Sequence, residues 1–251
     1  MFPALILVLA AAVGSFVILG LTGHVSFAEA LNLPDEAVPL MGKSLLKRTN
    51  GPPLAIRVGV FYSNEALLEY GSSSANISAV IHSAARGVEQ AVLPGSGLGA
   101  VNFSLCFPPR SMSAAFRERG SPGDTLRAFS QSTDALAHPE CTNLVLFTTL
   151  RGLGMRACGI GFLPGRTAAV AGLCFDENLS FAHELGHNYG MTHGAGFATS
   201  DGRFRSVMAY RSMCRGKNPC ERIPRYSSEH SSTWHGVRIG SVNADNANKL
   251  N

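Results

Sequence analysis

The stretch HELGHNYGMTH, His183 to His193, constrains the fold more than any other part of this chain. Phe181, Leu185 and Tyr189 supply the apolar stripe of a helix starting near Asn178, and on it His183 and His187 stand one turn apart on the same face. A helix continuing straight on would carry His193 to the wrong height and angle. Gly190 lets the chain leave the helix with positive φ and swing His193 back. Any fold for this sequence must therefore set a helix, a glycine exit and a returning loop around one point.

Three neutral imidazoles at one point form a ligand set for a zinc ion that keeps a fourth position for water and lowers that water's pKa towards neutrality. Glu184, beside the first histidine, is placed to take a proton from the water and pass it to a leaving amine. The plain alternative is a solvated polar helix face. With this chain's composition, chance yields the five residues at these offsets on the order of 10⁻⁵ to 10⁻⁴ times per sequence. The spacing predicts one catalytic zinc ion held by His183, His187 and His193, with Glu184 as general base.

The rest of the chain falls into three parts. Residues 1–23 carry no charged side chain over a length that spans a bilayer, so 1–30 read as a targeting segment. It is either a signal cleaved after Ala28-Glu29-Ala30 or an uncleaved anchor facing outside; Lys43, Lys47 and Arg48 follow the apolar run, against the usual positive-inside bias. Residues 31–53 end in Asn-Gly-Pro-Pro and read as a linker or short pro-segment, with Lys47-Arg48 a candidate processing pair. Residues 54–251 form the domain, divided at the zinc helix into 54–190 and 191–251. A net charge of +4 is mild and predicts no nucleic-acid partner; the domain reads as a monomer.

Six cysteines follow the apolar segment, an even number behind an export signal, and none forms a Cys-x-x-Cys pair, so disulfides in an oxidising compartment outside the cytoplasm are expected. Proximity pairs Cys214 with Cys220 and Cys158 with Cys174, leaving Cys106 with Cys141.

Short β-rich runs alternate with helical periods. Strands are expected at 55–62, 101–107 and 143–149, the last buried on both faces; helices are expected at 74–93 and 121–138. Two strands, 157–163 and 167–175, are joined by Pro164-Gly165-Arg166 as an antiparallel pair. The expected fold is α/β: a twisted, mostly parallel sheet with an antiparallel edge strand, helices, the zinc helix, and then a small irregular subdomain ending in a short helix over 242–250. His82, His138, His230 and His235 show no ligand spacing, and Asn76, Asn102 and Asn178 open Asn-x-Ser sequons.

HELGHNYGMTH resembles the extended zinc signature of the metzincin metallopeptidases, and SVMAY, 206–210, is similar to their Met-turn. That resemblance implies Met208 as an apolar floor beneath the metal and Tyr210 as a phenol able to stabilise a developing oxyanion. It also implies that the strand Gly159 to Leu163, with Gly159, Ile160 and Gly161, binds extended substrate by strand addition. CGIGFL, NLSFAHELGHN, GRFRSVMAY, CERIPRYSS and GVRIGSVNADNANKLN are similar, in that order, to segments of the secreted bacterial peptidyl-Asp metallopeptidases. That family implies cleavage before Asp and a cationic pocket, for which Arg203, Arg205 and Arg211 flank the Met-turn. Two departures bear on this specificity: RYSSEHSSTWHG lacks the family's Ser-Asn-Pro and Asn-Gly turns, and Gly194 follows His193 where an acid is usual.

Three functions follow from these residues. The first is a secreted zinc endopeptidase acting on extended protein or peptide substrates. The second is a thermolysin-like hydrolase whose third ligand is Glu221 or Glu229. The third is a non-catalytic extracellular binding module with a structural zinc, against which the intact Glu184 counts.

Overall fold

The computed structural model describes residues 36–39, 54–215 and 220–250, with 36–39 described by their backbone alone. The targeting segment 1–30 and the Lys47-Arg48 pair lie outside the described residues. Among those described, no helix is long and apolar enough to cross a membrane.

A seven-stranded sheet forms the frame. Its strands are β1 (Glu36–Pro39), β2 (Ala55–Tyr62), β3 (Asn102–Leu105), β4 (Arg110–Ser111), β5 (Asn143–Thr148), β6 (Gly159–Leu163) and β7 (Thr167–Ala171). The order is β1-β6-β7-β5-β2-β3, with β4 also pairing β2. β2, β3, β4, β5 and β7 are mutually parallel, and β6 runs antiparallel to β7, as the Pro-Gly-Arg turn predicts. The fold is therefore mixed α/β with a mostly parallel sheet, as expected. One expectation fails: β6 is not the outermost strand, because β1 pairs with it in parallel. Residues 36–39 thus form a strand within the segment read as a linker or short pro-segment.

Each strand's alternation assigns the two faces. On β5, which is buried at every position, Val145 and Phe147 join Ile77, Ile81, Phe181, Leu185 and Met208 on one side. Leu144 and Leu146 join Phe61, Leu126, Phe129 and Ile160 on the other. The first side is covered by the helix Ser74–Gly87, begun by Ser73, whose hydroxyl accepts from the Asn76 N–H. Its Ile77, Ile81 and Ala84 face the sheet, and it runs on as a π turn at Val88–Val92 that buries Val88 and Val92. The expected helix 121–138 is two: Pro122–Ser130, then Thr133–Leu136, restarted by Ser132, whose hydroxyl accepts from the Ala135 N–H.

Beyond the histidine helix, Ser180–Asn188, the chain is irregular. It holds a parallel pair, β8 (Phe204–Arg205) with β9 (Glu221–Arg222), and a hairpin, β10 (Thr233–Trp234) with β11 (Val237–Arg238). In place of the expected terminal helix there is one 3-10 turn, Ala247–Lys249. The cause is competition for the backbone: Ala247 N–H donates to Ser227 O at 2.9 Å, and Asn246 is bound to Thr192.

The disulfides Cys106–Cys141, Cys158–Cys174 and Cys214–Cys220 pair as proximity suggests. The first joins the end of β3 to the start of β5 across a sequence separation of 35. Replacing both of its cysteines by Ala should lower the unfolding free energy by about 4 kcal/mol through the entropy of the freed loop. Urea melts of the two proteins under oxidising conditions will measure it.

Candidate metal centre

The histidine helix is buried at all nine positions, His183, Glu184 and His187 included. It starts at Ser180, two residues later than expected. Its exit follows the glycine logic: Gly190 has φ +83°, its N–H donates to His187 O at 2.8 Å, and Met191 N–H donates to Gly186 O at 2.9 Å. That pair of bonds is a Schellman motif, which closes the helix and turns the chain back. The returning loop is clamped at Thr192 by Asn246, whose Oδ1 accepts from the Thr192 N–H at 2.9 Å and whose Nδ2 donates to the Thr192 O at 3.0 Å. His193 then opens a 3-10 turn, His193–Ala195.

The three Nε2 atoms converge. His183 to His193 is 2.9 Å, and His187 lies 3.1 Å from each of the others. Three nitrogens bound tetrahedrally to one zinc-sized ion sit about 3.3 Å apart, so the cluster has the dimensions of a ligand set. The other nitrogens of two rings are committed: His183 Nδ1 to Val207 O at 2.8 Å and His187 Nδ1 to Met191 O at 2.9 Å. A carbonyl accepts only from N–H, so in the neutral rings these bonds place the hydrogen on Nδ1 and leave the Nε2 lone pair facing the centre. The donor set therefore fits a metal ion.

Met208 is fully buried beneath this helix. A Cβ on Gly186 would stand 2.6 Å from the Met208 sulfur and 3.2 Å from Tyr226 Cε1, so glycine here lets Met208 and Tyr226 pack directly against the helix. Tyr226 also donates its hydroxyl to Ala182 O at 2.6 Å, and burial pushes its phenol pKa well up, keeping it a neutral donor. Tyr210 is 44% exposed, and its ring lies 3.8 Å from that of His193, at the mouth of the centre.

Glu184 lies between the helix and β6. A Cβ on Gly159 would meet the Glu184 Cγ, Oε1 and Cδ at 2.6 to 2.9 Å, and one on Gly161 would meet its Oε2 at 3.1 Å. Glycine at both positions brings the strand's backbone directly against this carboxylate. Asn188, buried at the helix end, fixes the contact: its Nδ2 donates to Phe162 O and to Thr167 O, each at 3.0 Å.

The arginines separate. Arg203 pairs with Asp201 at 2.6 Å, and the Thr199 hydroxyl together with Arg203 holds the Asp201 carboxyl down to about 2. Arg205 is buried and donates to Ala209 O at 3.0 Å. Arg211 lies in the 3-10 turn after Tyr210, partly buried. Neither Glu221, exposed on β9, nor Glu229, 3.6 Å from His230, belongs to the histidine cluster, so the thermolysin-like third ligand finds no support. Among the described residues the other metal-like group is Cys106, Glu140 and Cys141, whose sulfurs form a disulfide. The Asn178 sequon is buried, its Nδ2 donating to the Ser180 hydroxyl at 3.3 Å.

A hollow of about 600 Å³ lined in part by Glu65, Glu69, Glu118 and Arg151 shares no residue with the histidine cluster. Glu118 there accepts from the hydroxyls of Ser63, Thr148 and Thr149 and from Thr149 N–H, which makes it a structural carboxylate.

Sequence spacing did not reveal Asn188 and Asn246, because both act on backbone groups far along the chain. Asn246→Ala should weaken zinc affinity about tenfold by releasing the loop that presents His193, and His193→Ala should weaken it more. Competition against a chelating dye measures both.

No family model matches the chain. It is 27% identical over 246 aligned positions to the peptidyl-Asp metalloendopeptidase of Xanthomonas campestris pv. campestris. The match takes in 89% of this chain and 56% of that protein, so the chain spans little more than half of its relative's length. Among solved structures, a chaperone-substrate complex aligns with a TM-score of 0.59 at 18% identity, over 80% of this chain and 37% of that one, a likeness of fold alone. Metalloproteinase-II from Bacteroides fragilis aligns at 0.48 and 12% identity, over 89% and 59%. Over nearly nine-tenths of its length, then, this chain with a three-histidine centre, two of whose rings are buried, is similar in sequence to a metalloendopeptidase.

Proposed function

We propose that the chain is a zinc endopeptidase of the metzincin type, with HELGHNYGMTH as its HExxHxxGxxH motif and a preference for Asp on the carboxyl side of the cleaved bond. The observation that carries this is the convergence of three Nε2 atoms within 3.1 Å beside a fully buried glutamate. A structural metal site needs its ligands and no neighbouring base.

His183, His187 and His193 would hold the ion. Bound zinc supplies a Lewis acid that polarises the substrate carbonyl and makes water nucleophilic at neutral pH. Glu184 takes the proton from the attacking water and returns it to the departing amine. Tyr210, standing over His193 at the exposed mouth, donates its phenol hydrogen to the oxygen that becomes negative. Met208 fills the space beneath the histidines and fixes the loop whose Val207 carbonyl orients His183.

The Asp preference is read from the relative's name and from the arginines. Arg203, Arg205 and Arg211, which flank the Met-turn, are the candidates for the anionic subsite. The three disulfides favour an oxidising compartment, and with the apolar residues 1–23 they support export and action outside the cytoplasm on extended peptides.

Glu184→Gln should keep zinc binding while slowing peptide cleavage by about 10² to 10⁴. The check is mass spectrometry of a mixed peptide library, in which the wild-type fragments should begin with Asp. Wild-type turnover by the Gln variant would refute the base assignment.

A further inference from the structure

The hollow of about 600 Å³ stands where the parallel strands end. Glu65, Leu68 and Glu69 come from the helix Asn64–Glu69 directly after β2, Thr149 and Arg151 follow β5, and Leu173 lies in the 3-10 turn after β7. From β2 the sheet grows one way to β3 and the other way to β5. The chain leaves these neighbours towards opposite faces: Ala66, beyond β2, packs into one core, and Leu150 and Leu153, beyond β5, into the other. In parallel sheets the crevice at such a reversal is where small ligands bind, and the volume matches the roughly 300 to 1,000 Å³ of small-molecule sites. The histidine helix ends at the opposite, amino end of the sheet, where Asn188 bonds Asn143 and Thr167.

Two chemistries line the hollow. Among the described residues seven large apolar side chains are exposed, and three of them, Leu68 at 71%, Met155 at 51% and Leu173 at 41%, stand here. Beside them are Glu65, Glu69 and Glu118, with Arg151 the one cation of the lining, although Lys and Arg outnumber the acids 21 to 17 in the whole chain. Burial and the Glu118 carboxylate push the Glu69 pKa up while Arg151 pulls it down, so one more cation here would be stabilised. Glu118 already accepts four hydrogen bonds and contributes charge alone. Glu65 Oε2, by contrast, is buried and accepts no hydrogen bond among the described residues, which leaves a place for a donor. The three carboxylates do not converge to the spacing of a metal cluster. Dispersed acids among apolar walls suit a bulkier cation than a metal ion.

We propose that this hollow binds a small organic cation with an apolar body, an alkylammonium or arylalkylammonium, whose N–H groups donate to Glu65 and Glu69 and whose hydrocarbon lies against Leu68, Met155 and Leu173. The site stands on these residues alone and does not depend on the endopeptidase reading.

The test uses the full zinc-loaded chain and hexylammonium as the probe, with hexanol and hexanoate as its neutral and anionic counterparts, followed by backbone amide shifts in NMR. Hexylammonium should bind saturably and shift the amides of residues 64–69, 149–155 and 172–174, leaving those of 183–193 in place. Hexanol should bind about tenfold more weakly, and hexanoate should not bind. Glu65→Gln with Glu69→Gln should weaken hexylammonium binding about tenfold. Leu68→Ser, at an exposed position, should weaken it through the apolar wall, and zinc content and the melting midpoint verify that each variant has folded. Equal affinity for hexanol, unchanged affinity in both variants, or shifts confined to other residues would overturn the proposal. Displacement of hexylammonium by equimolar calcium would overturn it too, by making the hollow a metal site.

Discussion

Three imidazole nitrogens held 2.9 to 3.1 Å apart in a protein interior are the constraint on which the rest of this structure depends. Lone pairs so close repel unless a cation lies among them, so the surrounding chain must fix the rings from outside. It does so with backbone carbonyls: Val207 orients His183, and Met191 orients His187. For His193 it uses an asparagine fifty-odd residues away, which grips the preceding peptide from both sides.

The same economy of space joins the sheet to the centre. Gly186 admits Met208 beneath the helix, and Gly159 and Gly161 admit the backbone of β6 beside Glu184. A Cβ at any of the three would press on Met208 or Glu184, which would have to give way in an interior that packs as tightly as a crystal. The Glu184 carboxylate consequently lies directly against the backbone of β6. That strand is also the one paired by β1.

Much of this was legible in the residues. The histidine spacing with Gly190 foretold the helix, its exit and the cluster, because a 3.6-residue period and one positive φ leave few alternatives. The continuous apolar run Asn143–Thr148 announced a strand buried on both faces, and the Pro164-Gly165-Arg166 turn announced the antiparallel pair. What escaped the sequence was long-range. EAVP has no alternation that marks it as a strand and is ordered by pairing with β6; the 121–138 helix breaks where Ser132 recaps it; and the 242–250 segment is drawn out of a helix by Ser227 and Thr192. Arg203 and Arg205 looked equivalent around the Met-turn, and only the structure separates them: Arg203 pairs with Asp201, and Arg205 is buried against Ala209 O.

The central claim is that His183, His187 and His193 together bind one zinc ion and leave one position open. X-ray absorption at the zinc edge of the stoichiometrically loaded protein tests it most directly. The account predicts a single shell of nitrogen and oxygen neighbours at about 2.0 Å, with the outer scattering of three imidazoles and no sulfur. A sulfur shell near 2.3 Å, or the scattering of two imidazoles or fewer, would contradict it.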